Sequence, residues 1–267
     1  MGLSIISSTK EYSLDAIILS AGFATRMHPL TLRTGKSLLP LGKRFVIDFQ
    51  VDALLHTPTI EHIFVITNKK FYPAMRRWRE NSAYKERITL VNNGVLVAEE
   101  RKGAFGDLQY VLEKTKITND ILVLGNDNLF EDSLEPIMHF AKKKNAITVL
   151  VNEFAKTNCM TQTNEVILHK KTFRVQRFRD ALQSAILSYY ASFLYIIPRH
   201  QLGTIKDFLE SQKYNPEPTN HFITWALDHK HEVYAFPMQG KRFDTGDPAS
   251  YKKTFEWYGQ QSRLTTR

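Results

Sequence analysis

Hydrophobic and polar positions along the chain fall into two successive textures. Leu14, Ala16, Ile17, Ile18 and Leu19 form a short apolar run, the signature of a strand buried on both faces. Val46, Phe49, Ala53 and Leu54 then recur at helical spacing within 45–56. Residues 60–67, IEHIFVIT, read as a second core strand, 71–84 as a helix and 88–91 as a third short strand. The spacing further predicts a helix over 108–114, a strand over 121–124, a helix over 136–144 and a fifth strand over 146–151. Strand and helix alternate at intervals of roughly thirty residues, which predicts an α/β fold with a Rossmann-like, doubly wound, mostly parallel sheet.

The texture changes after residue 151. Residues 163–169 and 172–178 read as paired strands joined at Lys170-Lys171, and 185–197 as a third β-rich run, which predicts a small antiparallel lobe. Helices over 202–212 and 222–230 and a strand over 233–237 follow. No linker rich in Pro, Gly or Ser and no internal repeat divides the chain. The expectation is one domain over 1–267, with a core at 14–151, an antiparallel lobe at 152–200 and a C-terminal part at 201–267.

Composition narrows this picture. Hydrophobic residues at 43% and aromatics at 12% suffice for a packed core, so wholesale disorder is excluded. No apolar run approaches bilayer length, and Met1–Ser13 reads as a lead-in without a secretory cleavage pattern. The single cysteine, Cys159, excludes an internal disulfide, argues against a Cys-built metal site and fits a reducing, cytoplasmic setting. A net charge of +9 suits an anionic partner. The cations are nonetheless scattered, over Arg76, Arg77 and Arg79, over Lys142-Lys143-Lys144, and over Arg174, Arg177 and Arg179. Each set reads as a solvated face, and no zinc-finger spacing or RNA-recognition aromatic motif accompanies them. Neither nucleic acid nor membrane is therefore the expected partner.

Candidate chemistry begins where the first strand ends. Ser20, Ala21, Gly22, Phe23, Ala24 and Thr25 make a turn of mostly small residues, and Arg26, Arg33 and Lys36 follow within a dozen positions. Such a turn lets backbone N–H groups approach a phosphate while cations close over it. An ordinary strand-to-loop turn with surface cations is the competing reading. The string is neither the dinucleotide fingerprint nor the Walker loop. Gly103, Ala104 and Gly106 precede a helix, suiting either a second close approach to a ligand or a routine helix entry. Asp127 stands just past the 121–124 strand, where a carboxylate can hold a divalent cation over a phosphate or can form an Asx-turn or helix cap. Asp244 precedes Pro248, where capping the next helix is the ordinary role.

Longer strings carry a resemblance. Leu19-Ser-Ala-Gly-Phe-Ala-Thr-Arg-Met-His-Pro-Leu-Thr31, followed by Lys36-Ser-Leu-Leu-Pro40, resembles the LAAGxGTRLxPLT and PKxLLP opening of the sugar-phosphate nucleotidyltransferases. That group includes the NDP-sugar pyrophosphorylases and the glucose-1-phosphate thymidylyl- and uridylyltransferases. Gly103–Asp107 is similar to the GAxGD string of several members. Gly125-Asn-Asp-Asn-Leu-Phe130 is similar to GDN-L/I-F with one extra Asn, and Lys241–Tyr251 to W-x-D-x-G-T-x-x-x-Y/L.

The resemblance implies a GT-A-like fold and transfer of a nucleoside monophosphate from a nucleoside triphosphate to a sugar 1-phosphate, with release of pyrophosphate. It implies Mg²⁺ held by Asp127 and Asp244, Arg26 on the β- and γ-phosphates, and Lys36 on the α-phosphate or incoming phosphate. Ser20 to Thr25 together with Gly103, Ala104 and Gly106 would contact the nucleotide, and the 152–200 lobe would bind the acceptor. Many members are homo-oligomers, so self-association is a further expectation.

Three departures from the pattern bear on the nucleotide turn and the acceptor lobe. Ala24 replaces a glycine, Gly35 replaces a proline, and the Phe-x-Glu-Lys-Pro string of the acceptor lobe reads Phe178-Arg-Asp-Ala-Leu182, without its lysine. Arg179 is the candidate replacement, with Asp180 and Tyr195 as further acceptor contacts, although a tyrosine there equally suits core packing. Two alternatives stay open for these reasons. One is a cytidylyltransferase acting on a phosphorylated amino alcohol such as phosphocholine, and the other is a regulator that binds nucleotide or sugar nucleotide without turnover.

Overall fold

The computed structural model describes residues 12–153, 164–180, 189–211 and 220–264; the lead-in through residue 11 and Cys159 lie outside them. The first half runs β1 (Leu14–Ser20), β2 (Pro40–Leu41), β3 (Arg44–Phe45), α1 (Val46–Leu55), β4 (Ile60–Thr67), α2 (Tyr72–Asn81), β5 (Ile88–Asn92), α3 (Gly103–Lys114) and β6 (Asp120–Gly125). There follow β7 (Asn128–Phe130), α4 (Glu135–Lys144), β8 (Ile147–Glu153), β9 (Asn164–Leu168), β10 (Val175–Asp180) and β11 (Tyr189–Ile197). The chain closes with α5 (Gly203–Glu210), α6 (Asn220–Asp228), β12 (Val233–Pro237), β13 (Arg242–Asp244) and α7 (Pro248–Leu264).

Strands β5, β4, β1 and β6 lie side by side and parallel, in that order. All seven residues of β1 are buried. Its side chains alternate between two cores, as the two-residue period of a strand requires. Ala16 and Ile18 meet Ile47 and Val51 of α1, Met75 of α2 and Ile137 of α4. Ile17 and Leu19 meet Phe105, Leu108 and Val111 of α3, with Phe208 of α5 and Phe222 of α6 in the same cluster. Helices on both faces explain why Ala16 to Leu19 read as continuously apolar rather than alternating. Burying each Leu or Ile of this strand contributes about 1.5–3 kcal/mol.

Local signals set the helix ends. At α1 the Asp48 carboxylate accepts the Phe45 N–H at 2.8 Å and also the Trp78 indole N–H at 2.7 Å, tying α1 to α2. At α4 the chain leaves through Asn145 in the left-handed region, φ 49°, after Lys142-Lys143-Lys144 placed against the negative end of the helix dipole. Among the described residues no helix is long and apolar enough to cross a membrane.

Beyond β6 the sheet turns antiparallel without a break. β11 pairs along one edge with β6 through Leu194–Ile197 and with β9 through Tyr189 and Tyr190, and along its other edge with β8; β10 lies outside β9, and β12 is parallel to β8. The antiparallel strands expected within 152–200 are present, but they continue the nine-stranded sheet rather than forming a sheet of their own. The reason is burial, since Leu194, Tyr195, Ile196 and Ile197 are each at most 2% exposed and complete the core beside β6.

Helix α3 starts earlier than its apolar spacing suggests, at Gly103 rather than near Leu108. Gly103 has φ 74°, a conformation open to glycine at little cost, and lets the chain swing straight into the helix. Its second turn consequently carries Asp107 inward, 8% exposed, where the Asn93 side-chain amide donates to Oδ1 at 2.8 Å.

Burial pushes the Asp107 carboxyl up to about 6, against the opposing effects of the Asn93 hydrogen bond and the Lys102 charge. The folded state thus holds this proton more tightly than the unfolded chain does. Its contribution to stability is undiminished below about pH 4 and falls as the pH rises through about 6. Asp107→Asn, which keeps the carbonyl acceptor for Asn93, should stabilise the protein at pH 8 by about 2–3 kcal/mol, with little gain at pH 4. Denaturant unfolding of both proteins at the two pH values checks this, and a difference that does not grow with pH would contradict it.

Candidate active site at the ends of two central strands

In this sheet β1 is flanked by β4 on one side and β6 on the other, so the chain order reverses between β1 and β6. The carboxyl ends of strands at such a reversal border a crevice where open α/β sheets bind ligands. The turn after β1 and the turn after β6 both open there, Leu19 and Gly125 being register partners.

The first turn is pinned from behind. Ser20 Oγ and Ser37 Oγ are 2.6 Å apart and buried, and the Asn126 amide donates to Ser37 Oγ at 3.1 Å. The Asn68 amide donates to Ala21 O at 2.9 Å. Phe23 is buried against Phe71 and Val95. Gly22 is exposed, and nothing stands within 4 Å of the place a Cβ would take. Ala24 occupies the left-handed region, φ 50° and ψ 45°, where alanine is strained by about 1 kcal/mol relative to glycine. Its carbonyl accepts the Thr31 hydroxyl at 2.8 Å. Thr25 and Arg26 are exposed at the start of a 3-10 turn. Gly35, where the resembled pattern has proline, adopts φ −69° and ψ 157°, values proline also takes, and packs beneath the Phe71 ring.

The second turn brings the two aspartates together. β7 and β13 form a two-stranded antiparallel ribbon with Asp244 opposite Asn128, and the Thr245 N–H donates to Asp127 O at 2.9 Å. A Cβ built on Gly246 would lie 2.7 Å from Asp244 Oδ1 and 3.2 Å from Asp127 Oδ2, so both carboxylates crowd one glycine. A Cβ on Gly125 would lie 2.8 Å from the Phe193 ring and 3.1 Å from Asp127 Oδ1. Neither position has room for a side chain.

The cap expected of Asp244 belongs to its neighbour. The Asp247 carboxylate accepts the N–H groups of Ala249 and Ser250 at 2.9 and 3.0 Å, at the start of α7. The Ser250 N–H is the main cause that holds Asp247 below the usual carboxylate range, and the charge of Arg26 lowers it further. Arg26 therefore lies within electrostatic reach of this loop. Tyr251 donates its hydroxyl to Pro40 O at 2.6 Å and ties α7 to the segment after Lys36.

All four carboxylate oxygens of the pair already accept a hydrogen bond. Asp127 Oδ1 accepts the Asn128 amide at 2.8 Å, and Oδ2 accepts Lys36 Nζ at 3.1 Å. Asp244 Oδ1 accepts the Gly246 N–H at 2.6 Å, and Oδ2 accepts the Arg242 guanidinium at 2.7 Å. Burial alone would raise the Asp127 carboxyl, but Lys36 and Arg242 outweigh it and hold the group low, hence ionised. Burial and then the charge of Asp127 push Asp244 up, in spite of Arg242.

Two participants escaped the sequence reading. Gln50, 2% exposed on α1, donates to the carbonyls of Gly125 and Asn128 at 2.8 and 2.9 Å and so clamps both ends of the Asn126-Asp127 turn. Arg242 is the other; a polar residue on the apolar face of α1 was the available signal for Gln50, and a cation two residues before Asp244 was that for Arg242.

The other expected contacts lie on α3, β11 and β10. Gly103, Ala104 and Gly106 are half-buried in the first turn of α3, and Ala104 packs against the core. Tyr195, expected at the acceptor, is 2% exposed in mid-sheet among Phe105, Phe193 and Phe222, and is a core residue. Arg179 and Asp180 end β10, opposite Glu165 and Asn164, and their side chains lie outside the described residues.

Among the described residues no group of three or more His, Cys, Asp or Glu side chains could hold a metal ion. Two crowded carboxylates still fit a hard cation such as Mg²⁺, which commonly takes one or two protein carboxylates and fills its remaining positions with water and phosphate oxygens.

A family model described as nucleotidyl transferase matches residues 15–261. The mannose-1-phosphate guanyltransferase beta-A of Xenopus laevis is 24% identical over 255 residues, covering 94% of this chain and 66% of the relative. The chain thus spans about two thirds of the length of that relative. An apo UDP-glucose pyrophosphorylase superposes with a TM-score of 0.77 at 14% identity, covering 94% of this chain and 99% of the other. A CTP:phosphocholine cytidylyltransferase from Streptococcus pneumoniae superposes with a TM-score of 0.69 at 18% identity, covering 91% and 98%. These likenesses establish the fold.

Gly246→Ala should force the carboxylates apart. With a non-hydrolysable triphosphate present, we expect Mn²⁺ affinity, read by isothermal titration calorimetry, to fall by about tenfold or more, since the ligands of a small cation tolerate little displacement. Unchanged affinity would mean that the pair relaxes freely around the added methyl.

Proposed function

The chain belongs to the nucleotidyl transferase family, and on that footing we propose that it transfers a nucleoside monophosphate from a nucleoside triphosphate to a sugar 1-phosphate, releasing pyrophosphate and yielding an NDP-sugar. The observation that carries this reading is the convergence of Asp127 and Asp244, 117 positions apart in the chain, beside Lys36 at the carboxyl ends of β1 and β6. Two polyanions must meet in such a reaction, so its barrier is largely charge repulsion and misalignment.

In this reading Asp127 and Asp244 would hold Mg²⁺, which would supply positive charge to offset the negative charge of the phosphates. The remaining work falls to the chain itself. Ser20 to Thr25 wrap the triphosphate, with the open space over Gly22 leaving room for a phosphate to approach the backbone. Lys36 leaves Asp127 Oδ2 and neutralises the α-phosphate or incoming phosphate. Arg26, exposed and within electrostatic reach of Asp247, neutralises the β- and γ-phosphates as pyrophosphate departs. No general base is required, because a phosphate monoester with a second pKa of about 6 is mostly dianionic at pH 7. Arg179, in the place of the missing lysine, is the proposed acceptor cation, with Asp180 beside it. Partners would be these small molecules, within a cytoplasmic and self-associating protein; nucleic acid and membrane have no part in the proposal.

The missing acceptor lysine favours a second reading, cytidylyl transfer to a phosphorylated amino alcohol, and the phosphocholine cytidylyltransferase fold is compatible with it. Pyrophosphate release from each triphosphate with Mg²⁺ and a panel of sugar 1-phosphates and phosphorylated amino alcohols separates the two. Nucleotide binding without any release would favour a regulator instead.

Asp127→Asn and Asp244→Asn should each abolish metal-dependent pyrophosphate release while leaving the circular dichroism spectrum native, since each removes a charge from the cation's immediate ligands. Near-normal activity at saturating Mg²⁺ would remove that residue from the ligand set. Arg26→Ala should lower kcat/KM by about a hundredfold or more, as does loss of a charge stabiliser at a reacting phosphoryl group. It should also weaken triphosphate binding more than monophosphate binding. Equal losses would contradict its placement on the departing pyrophosphate.

A further inference from the structure

Where the resembled string W-x-D-x-G has tryptophan, this chain has Arg242, two residues before Asp244. The Arg242 side chain is 5% exposed. Its Nε donates to Asn128 Oδ1 at 2.5 Å, its Nη2 donates to Asp244 Oδ2 at 2.7 Å, and its guanidinium lies 5.8 Å from the centroid of the Tyr190 ring. Groups on β7, β13 and β11 thus hold one permanent positive charge against the carboxylate pair.

The pair then carries a balanced set of charges, with Lys36 on Asp127 and Arg242 on Asp244. These two cations differ in freedom. Lys36 is a point charge on a flexible stem and can turn toward an arriving phosphate, whereas a guanidinium with hydrogen bonds to two side chains in a fixed fork cannot turn without breaking both. A divalent cation entering alone would lose the neutral arrangement and meet a fixed like charge. A triphosphate entering with the cation brings the negative charge that draws Lys36 away and restores the balance.

We propose that Arg242 is a resident counter-cation of the Asp127–Asp244 pair, a positioning residue that fixes Asp244 and keeps the site's affinity for free divalent cation low, so that the cation binds only together with a polyphosphate. This rests on the reading of Asp127 and Asp244 as cation ligands in nucleotidyl transfer. It extends that reading by assigning the order of arrival to a residue outside the ligand set.

The test uses the full chain, with Mn²⁺ as probe, followed by electron paramagnetic resonance at constant ionic strength. Wild-type protein should bind free Mn²⁺ weakly and bind it far more tightly with a non-hydrolysable triphosphate present. Arg242→Gln removes the charge while keeping an amide donor, and Arg242→Met refills the space over Tyr190 with an unbranched apolar stem. Both should bind free Mn²⁺ about tenfold or more tightly than wild type, as expected for losing one like charge at close range. Arg242→Lys, which keeps the charge, should remain within about threefold of wild type. Having two neutral variants guards against one that fails to fold, as judged by circular dichroism. Neutral variants that bind no more tightly than wild type would overturn the proposal, as would a Lys variant that tightens as much as they do. Pyrophosphate release is measured separately: tightening without turnover in wild type would retain the role of Arg242 and discard the proposed reaction.

Discussion

Two carboxylates set side by side repel each other, and the surroundings of Asp127 and Asp244 are arranged against that repulsion. At about 4 Å the cost is on the order of 1 kcal/mol in water and about 4 kcal/mol near a protein surface. Backbone geometry supplies the first restraint. The β7–β13 ribbon and the Thr245 N–H to Asp127 O bond fix the two Cα positions, while Gly125 and Gly246 leave the space that a side chain would close. Charge supplies the second. Lys36 and Arg242 each place a cation on one carboxylate, and these attractions are of the same size as the repulsion they offset.

The rest of the fold determines where that pair stands. Helices on both faces bury β1 completely, and the reversal of strand order between β1 and β6 leaves their carboxyl ends facing one crevice. The Asn126–Ser37–Ser20 contacts join the turn after β6, the segment carrying Lys36 and the turn after β1 into one polar unit behind that crevice. Ala24, strained in the left-handed region, sits on its rim. Strain held at such a place is consistent with a turn shaped for a ligand rather than for its own stability.

Continuity of the sheet matters as much as the crevice. β11 pairs along one edge with β6, which leads into Asp127, and nearer its N-terminal end along the same edge with β9, which carries β10. The strands ending at Arg179 are thus tied by backbone hydrogen bonds to the strand that ends at the carboxylates. Any cation from that side would approach along the same sheet as Asp127, which suits a reaction that needs two phosphates aligned.

Much of this was legible in the chain itself. β4 and β12 fall within the ranges that their apolar runs mark, and the turns after β1 and β6 carry the residues that motif and chemistry single out. Periodicity reports which face of an element is buried, and small residues report where backbone can bend; both are local properties. Sequence could not decide which of Asp244 and Asp247 caps α7, or that Tyr195 faces the core while Arg242 faces Asp244. Alternation along a strand assigns sides, yet it does not say what the other side meets. The pairing of Asp127 with Asp244 is the clearest case, for it depends on register between two short strands 114 positions apart, and that register is set by packing of the whole sheet and of α7 against it.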